Sequence, residues 1–364
     1  MVKRLLYLNG LAIIFVVLHH AAGWGFTSMI LWTDRYRLAN NLGFNQVDNI
    51  EYFVLRMVDQ LAIVAIPAFI FVSGYFISVA TAQSEKTVGW DIVLNRIKVL
   101  IAPFVIWSVL NLLHNILWGD QYTPLDFVLR VVTGRAGGRF YFIPLLVQLY
   151  VLAPFLVFWI RSRPKVILIV SVIVQVLVLV FRYVAILHPD WKLYAILSST
   201  RLFSAYVFWF VLGITIGLNL AYFKKMLVDY KVMILIAVFV FYFMCIVEGE
   251  FLYHLTGQFI ATETLLDQLY AFFAIFAFLS LANLKLPLLN QISSLGISSF
   301  AVYLTHTFAI KSSVNLVYRF LPSMMEYQIL YQLILIGGGL GFPLLLMYFV
   351  RKSPLNKYYR SIFG

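Results

Sequence analysis

Apolar stretches of about 20 residues, the length that crosses a bilayer as a helix, recur roughly ten times along the chain with short polar breaks between them. Their approximate spans are 5-28, 58-80, 99-118, 140-160, 166-186, 202-220, 232-248, 265-283, 297-318 and 328-350. The pattern predicts an all-α fold, a polytopic membrane helix bundle of about ten transmembrane helices. Residues 1-364 read as a single integral membrane domain, because no stretch of soluble-domain size lies between the spans. The first run starts beside Lys3 and Arg4, lacks a small-residue cleavage site and continues through Trp24, so it reads as a retained helix rather than a signal peptide.

Composition agrees with that pattern. The chain is 63% hydrophobic and 12% charged, about half the charged fraction of a soluble domain. The net charge of +12 changes the picture only through its distribution. With the N-terminus in the cytoplasm and ten spans, both termini are cytoplasmic. Sixteen of the 27 basic residues then fall in short cytoplasmic loops, opposed only by Glu85, Asp91 and Asp229. This is the positive-inside distribution of a multi-pass membrane protein. It explains the excess charge without nucleic acid. A lone cysteine, Cys245 inside an apolar run, excludes intramolecular disulfides and thiolate metal clusters.

Against this background the polar residues inside spans carry the chemistry, since an ionisable side chain at membrane depth marks a functional site by default. The first span holds Asn9 and the adjacent His19 and His20. Asn9 and His20 are eleven residues apart, which on a helix is within about 20° of three turns and about 16.5 Å along the axis. One face therefore carries an amide near the cytoplasmic edge and an imidazole deeper in, while His19 points about 100° away. In the ninth span Ser299, Tyr303 and His306 fall on one stripe by the i,i+4 and i,i+3 rule. A packing histidine and a functional one both fit this second site.

Other features stay two-sided at this stage. Pro67 and Gly74 predict a kink or a close helix approach in the second span. Arg96 and Lys98, at the start of the third, serve either as cytoplasmic anchors or as attractors of a phosphate-bearing ligand. The glycines around Arg135 and Arg139 suit either a mobile substrate-binding loop or a solvated connector. The loop at about 29–50, with Arg35 and Arg37, is long enough to fold over an external opening. Gln148 reads as polar glue between helices. Glu263 and Asp267, of like charge at i,i+4, must pair with other helices if they pair at all, and a water-facing mouth is the simplest account. Glu248, Glu250 and His254 lack the spacing and number of a closed metal site, so no metal is expected.

Taken in order, five segments resemble the acyltransferase 3 family of integral membrane acyltransferases, which includes bacterial O-acetyltransferases acting on exported glycans. They are Gly10-Leu-Ala-Ile-Ile-Phe-Val-Val-Leu-His-His20, Pro67-Ala-Phe-Ile-Phe-Val-Ser-Gly-Tyr-Phe-Ile77 and Arg96-Ile-Lys-Val-Leu-Ile-Ala-Pro-Phe-Val-Ile-Trp-Ser108, then Phe140-Tyr-Phe-Ile-Pro-Leu-Leu-Val-Gln-Leu-Tyr150 and Gly296-Ile-Ser-Ser-Phe-Ala-Val-Tyr-Leu-Thr-His306. The family's first-helix signature pairs a basic residue with a histidine after ten intervening positions. His20 occupies the histidine position. Asn9 stands where arginine or lysine is expected, and Leu6 where an acidic residue usually precedes it, so Arg4 is the nearest alternative source of positive charge.

The resemblance implies transfer of an acyl group, most often acetyl, from cytosolic acyl-coenzyme A to a hydroxyl of a glycan or other acceptor, lipid included, at the outer face of the cell membrane. Acyl-coenzyme A is then a co-substrate, with no bound cofactor. On this reading Arg96, Lys98, Arg4 and Asn9 face the donor, and His20 is the general base. His306 and Tyr303 orient the thioester or stabilise its oxyanion, and Arg135, Arg139 and Arg35 contact the acceptor. Imidazole suits the base because its pKa lies near neutrality. The competing reading is a non-enzymatic transporter or flippase for a small anion, lipid or glycan, with the histidines lining its path; the chain has no visible internal repeat of the kind many transporters carry.

Overall fold

The computed structural model describes residues 2–32, 49–81, 87–137, 140–257, 263–281 and 284–364. Arg35, Arg37, Arg139 and most of the 29–50 loop lie outside these residues. The described residues form helices and short turns, with no strand among them.

The first helix, α1 (Val2–Phe26), passes into a π-turn at Thr27–Leu31. Helix α2 (Ile50–Ala62) starts where the Asn49 side chain accepts the Tyr52 N–H at 2.8 Å. It breaks at Ile63 and Val64 before α3 (Ala65–Ala80) continues. The break lies where the Pro67 ring collides with the carbonyl four residues back, that of Ile63, so the expected proline kink is realised as an interruption. After α4 (Trp90–Leu117) comes the amphipathic α5 (Pro124–Val132), opened by the Thr123 cap and Pro124. Then follow α6 (Phe142–Ser162), α7 (Pro164–Leu187), the short α8 (Lys192–Leu197) and α9 (Val207–Leu218). Helix α10 (Leu220–Asp229) turns off α9 by 101°. The remainder is α11 (Lys231–Thr256), α12 (Leu265–Ser280), α13 (Leu289–Ile297), α14 (Ser299–Phe320), α15 (Gln328–Lys352) and the terminal turn α16 (Tyr359–Phe363).

All ten apolar stretches are thus largely helical, and the fold is a membrane helix bundle. The number that could cross alone is smaller than ten. Among the described residues, seven helices, α2 and α3 counted as one, have the length and apolarity to span, or eight if the bent α9–α10 pair is one span. Helix α12 is too short at 16 residues. Helix α14 is long enough at 22 residues, but it carries Ser, Thr, His, Lys and Asn along its length.

Two close approaches set the interior. A Cβ on Gly74 would lie 2.2 Å from the Phe210 carbonyl oxygen, and one on Gly213 would lie 2.1 Å from that of Phe71, so α3 and α9 pack backbone to backbone. Gly10 and Gly296 do the same for α1 and α13, against Ile292 and Leu6. Small residues at such contacts gain dispersion and helix–helix hydrogen bonding that lipid cannot supply. Helix α11 lies at the other extreme: only 11% of its apolar window is buried, against 72% for α2 and α3, which places its side chains toward lipid. Cys245 on α11 is buried at the face that turns inward.

Polar pairs tie these peripheral helices to the interior. Arg56 donates to Glu250 at 2.8 Å, and the Tyr52 hydroxyl reaches the same carboxylate. Glu248 accepts from Tyr183 and Thr264. Glu263 is held by Arg182 and Tyr206. Asp267 caps α12 through Thr264 and accepts from Gln60 at 2.9 Å. Glu263 and Asp267 therefore find partners on other helices, Glu263 half-buried and Asp267 out of contact with water. Asp267 is only 4% exposed, because its cap and the Gln60 amide replace water.

Candidate active site

The polar face of α1 meets three adjoining cavities, described here from the end of the bundle that carries Lys3 and Arg96, the basic end. The first, of about 200 Å³, is walled by Asn9, Ser73, Phe76, Arg96, Tyr150, Ser299 and Tyr303, with apolar side chains between them. A central chamber of about 60 Å³ is bounded by His19, His20, Ile63, Tyr141, Glu263 and Tyr303. The third, at the far end, measures about 510 Å³; His19, His20, Trp24, Asp59, Asn111, Asn115, Arg135 and Lys311 are among its walls. Tyr303 is shared by the first and second, and the two histidines by the second and third.

Helical periodicity explains why these groups converge. Ser299, Tyr303 and His306 lie on one stripe of α14, and that stripe faces α1. The His306 ring is fully buried and stacks on His20, with centroids 5.1 Å apart and planes 14° from parallel. Its Nδ1 lies 3.1 Å from the Val302 carbonyl oxygen. Only a protonated Nδ1 can donate there, so in the neutral ring Nε2 is the acceptor nitrogen. The Tyr303 ring packs between Phe142 at 5.3 Å and His306 at 5.7 Å.

His19 has a different partner. Its Nδ1 is 2.6 Å from Oδ1 of Asp59, a carboxylate only 7% exposed, while the imidazole itself borders two cavities. A carboxylate on Nδ1 fixes the tautomer and aligns the ring. Asp59 sits at i,i+3 from Arg56, yet the two do not pair; Arg56 turns to Glu250.

The donor-side residues divide. Arg96 lies beside the first cavity, its Nη2 3.3 Å from the Phe76 carbonyl oxygen and its guanidinium 5.7 Å from the Tyr150 ring centroid. Asn9 borders the same cavity, and its buried Oδ1 makes no hydrogen bond among the described residues. Lys98 is exposed on α4, away from the cavity walls. Arg4 donates to the Leu281 and Leu284 carbonyl oxygens, at 2.5 and 3.2 Å, and so fastens the end of α12. Trp107 is buried and donates to the Ile362 carbonyl oxygen at 2.9 Å, which holds the α16 turn against α4. At the far end Arg135 borders the large cavity, in a turn closed by its own N–H on the Arg130 carbonyl oxygen at 2.8 Å. Arg35 and Arg139 fall outside the described residues.

Sequence reasoning passed over Asp59 as the partner of His19, and over Lys311 and Arg201. Lys311 carried its own signal, a cation in the middle of an apolar span. Asp59 and Arg201 carried none, because their significance depends on helices that meet only in the folded chain.

Comparison with known proteins adds the family. A model described as an acyltransferase domain, that of the acyltransferase 3 family, matches residues 3–348. Proteins named "Probable poly-beta-1,6-N-acetyl-D-glucosamine export protein" from Staphylococcus aureus strains MSSA476 and MRSA252 are each 23% identical over 294 residues, covering 80% of this chain and 81% of theirs. No solved structure matches. With the family's match extending over nearly the whole chain, from the start of α1 into the last turns of α15, this multi-pass membrane protein belongs to the acyltransferase 3 family.

Proposed function

We propose that the protein transfers an acyl group, acetyl in the first instance, from cytosolic acyl-coenzyme A to a hydroxyl of a glycan or membrane-associated acceptor on the opposite side of the cell membrane. The observation that carries this reading is that His20 and Tyr303 stand where a narrow cavity from the basic end and a wide cavity from the far end adjoin one small chamber. The basic end is cytoplasmic, in keeping with the positive-inside distribution. There the polyanionic donor meets Arg96. Its slender thioester arm suits the narrow cavity, where the unpartnered Asn9 Oδ1 offers an acceptor to an amide N–H of that arm. His20 takes the proton of the acceptor hydroxyl as it attacks the thioester carbonyl, the C–S bond breaks, and the departing thiolate takes that proton back from His20 to leave as coenzyme A thiol. Tyr303, at the chamber wall, orients the thioester and its developing oxyanion, and His306, stacked on His20, positions that ring.

The Asp59–His19 contact favours a second assignment within the same function, with the carboxylate-held His19 as base. Incubating the purified protein with labelled acetyl-coenzyme A, and comparing wild type with His20→Ala and His19→Ala, separates the two. Loss of turnover in only one variant identifies the base, and a wild type that neither binds nor consumes the donor overturns the enzyme reading. The relatives' printed name favours a different class, glycan export through the adjoining cavities. That reading gains if reconstituted vesicles move a labelled glycan without consuming any thioester.

A further inference from the structure

The far cavity has an unbalanced set of charges. Its two acidic groups are both engaged: Asp59 by His19 at 2.6 Å, and Asp120 by the Tyr122 hydroxyl at 2.6 Å. Among its cations Arg130 is paired with Asp126 at 2.7 Å, one turn away. Lys311 and Arg135 have no carboxylate partner among the described residues. Lys311 instead donates to the neutral Asn115 Oδ1 at 2.6 Å, from well inside α14.

Behind Arg135 stands a third cation. The Gln148 side chain donates to the Arg201 carbonyl oxygen at 2.9 Å and accepts the Phe203 N–H at 3.1 Å, which clamps the backbone at Arg201. Arg201 Nε is buried without a hydrogen-bond partner among the described residues. Burial, and then the Arg135 guanidinium close by, hold the Arg201 guanidinium below its ordinary pKa. Glu263, in the adjoining chamber, is already taken by Arg182 and Tyr206. Arg135 is exposed, but Lys311 is half-buried and Arg201 Nε is buried, so water screens the repulsion among the three cations only in part. An anion between them relieves that repulsion with charge-assisted hydrogen bonds. The cavity's roughly 510 Å³ is within the range of small-molecule sites, about 300–1,000 Å³.

We propose that the far cavity selects an anionic acceptor, whose carboxylate or phosphate docks between Lys311 and Arg135 with Arg201 adding positive potential behind. The inference rests on the acyl-transfer reading for the word acceptor, but its test needs no donor. Equilibrium binding to the full chain in lipid nanodiscs is measured for methyl glucuronide, its neutral methyl ester and glucose 6-phosphate. The expected result is that at least one anion binds about tenfold or more tighter than the ester at low salt, with the gap narrowing as salt rises. The gap closes in the Lys311→Gln, Arg135→Gln double variant and survives in Lys311→Arg. Whichever anion binds tighter distinguishes a sugar acid from a sugar phosphate. The proposal is overturned if the ester binds wild type as tightly as the anions, if the preference persists in the double variant, or if neither anion binds at millimolar concentration. Because thioester is absent, failure here leaves acyl transfer standing. An anion preference in a protein that never consumes acyl-coenzyme A removes the transfer reading alone.

Discussion

The cavities at the two ends of the bundle differ in size and in chemistry. The one at the basic end has about 200 Å³ and mostly apolar walls, relieved by Asn9, Ser73, Arg96 and Ser299. The one at the far end has about 510 Å³ and is bounded by amides, carboxylates, two histidines and several cations. A narrow apolar slot with one cation at its side suits a flexible arm anchored by its charged head. A wide polar basin suits a rigid polyhydroxyl ligand that must be held by many hydrogen bonds. On the proposed reading the asymmetry fits a donor at the basic end and an acceptor at the far end.

The largest effect that tests this division lies at its boundary. His20→Ala should lower acyl transfer by about 10²–10⁴-fold, the usual contribution of a general base, with donor binding nearly intact. If His19→Ala shows that loss instead, the base is the Asp59-held ring, and Asp59→Asn should follow it in direction. Plugging comes next. Ser73→Trp should obstruct the narrow cavity and cut donor-dependent turnover by about tenfold or more, whereas Asn111→Trp should reduce transfer to acceptor more than thioester hydrolysis. If both plugs act alike on hydrolysis and transfer, the two-ended division fails.

A smaller effect is expected at Arg96. Replacement by Ala should weaken coenzyme A binding several-fold at low salt and less at high salt, because a partly solvated charge pair is screened over about 10 Å at 0.1 M. Equal effects at both salt concentrations would remove Arg96 from the phosphate site. Smallest of all, Asn9→Leu should raise the donor KM by about fivefold, the equivalent of one ordinary hydrogen bond of about 1 kcal/mol, while leaving acceptor binding alone.

Much of this arrangement was legible in the residues, and the rest was not for identifiable reasons. Helix positions follow from apolar runs, and the Ser299–Tyr303–His306 stripe from the 3.6-residue period, because both are local properties. The α2–α3 break follows from Pro67, whose ring acts on a carbonyl only four residues away. Partner choice does not follow in this way. Asp59 stands three residues after Arg56, on the same helix face, but Arg56 pairs with Glu250, 194 residues later, and Asp59 with His19, 40 residues earlier. Helix count is not local either: α9 turns aside at Asn219, and α14 tolerates polar residues by lying inside the bundle. At the candidate site, the signature position of His20 was readable. The meeting of His19, His20 and Tyr303 at one chamber, with Asp59 held on His19 and His306 stacked on His20, depends on how α1, α2 and α14 dock.

The central chamber's size has a consequence for timing. At about 60 Å³ it has room for a few waters, but not for a thioester together with a sugar hydroxymethyl group. Ala62, Ile63, Ala65 and Ile66 form one wall, and they flank the Pro67-induced break, where the helix lacks its full ladder of backbone hydrogen bonds. On the proposed reading, a donor in the narrow cavity is kept apart from the far cavity by this wall. Productive encounter requires that wall to yield, and helix displacements of this kind run on microseconds to milliseconds. The proposed transfer would then be timed by the proline break, through how often this wall lets two bound substrates meet.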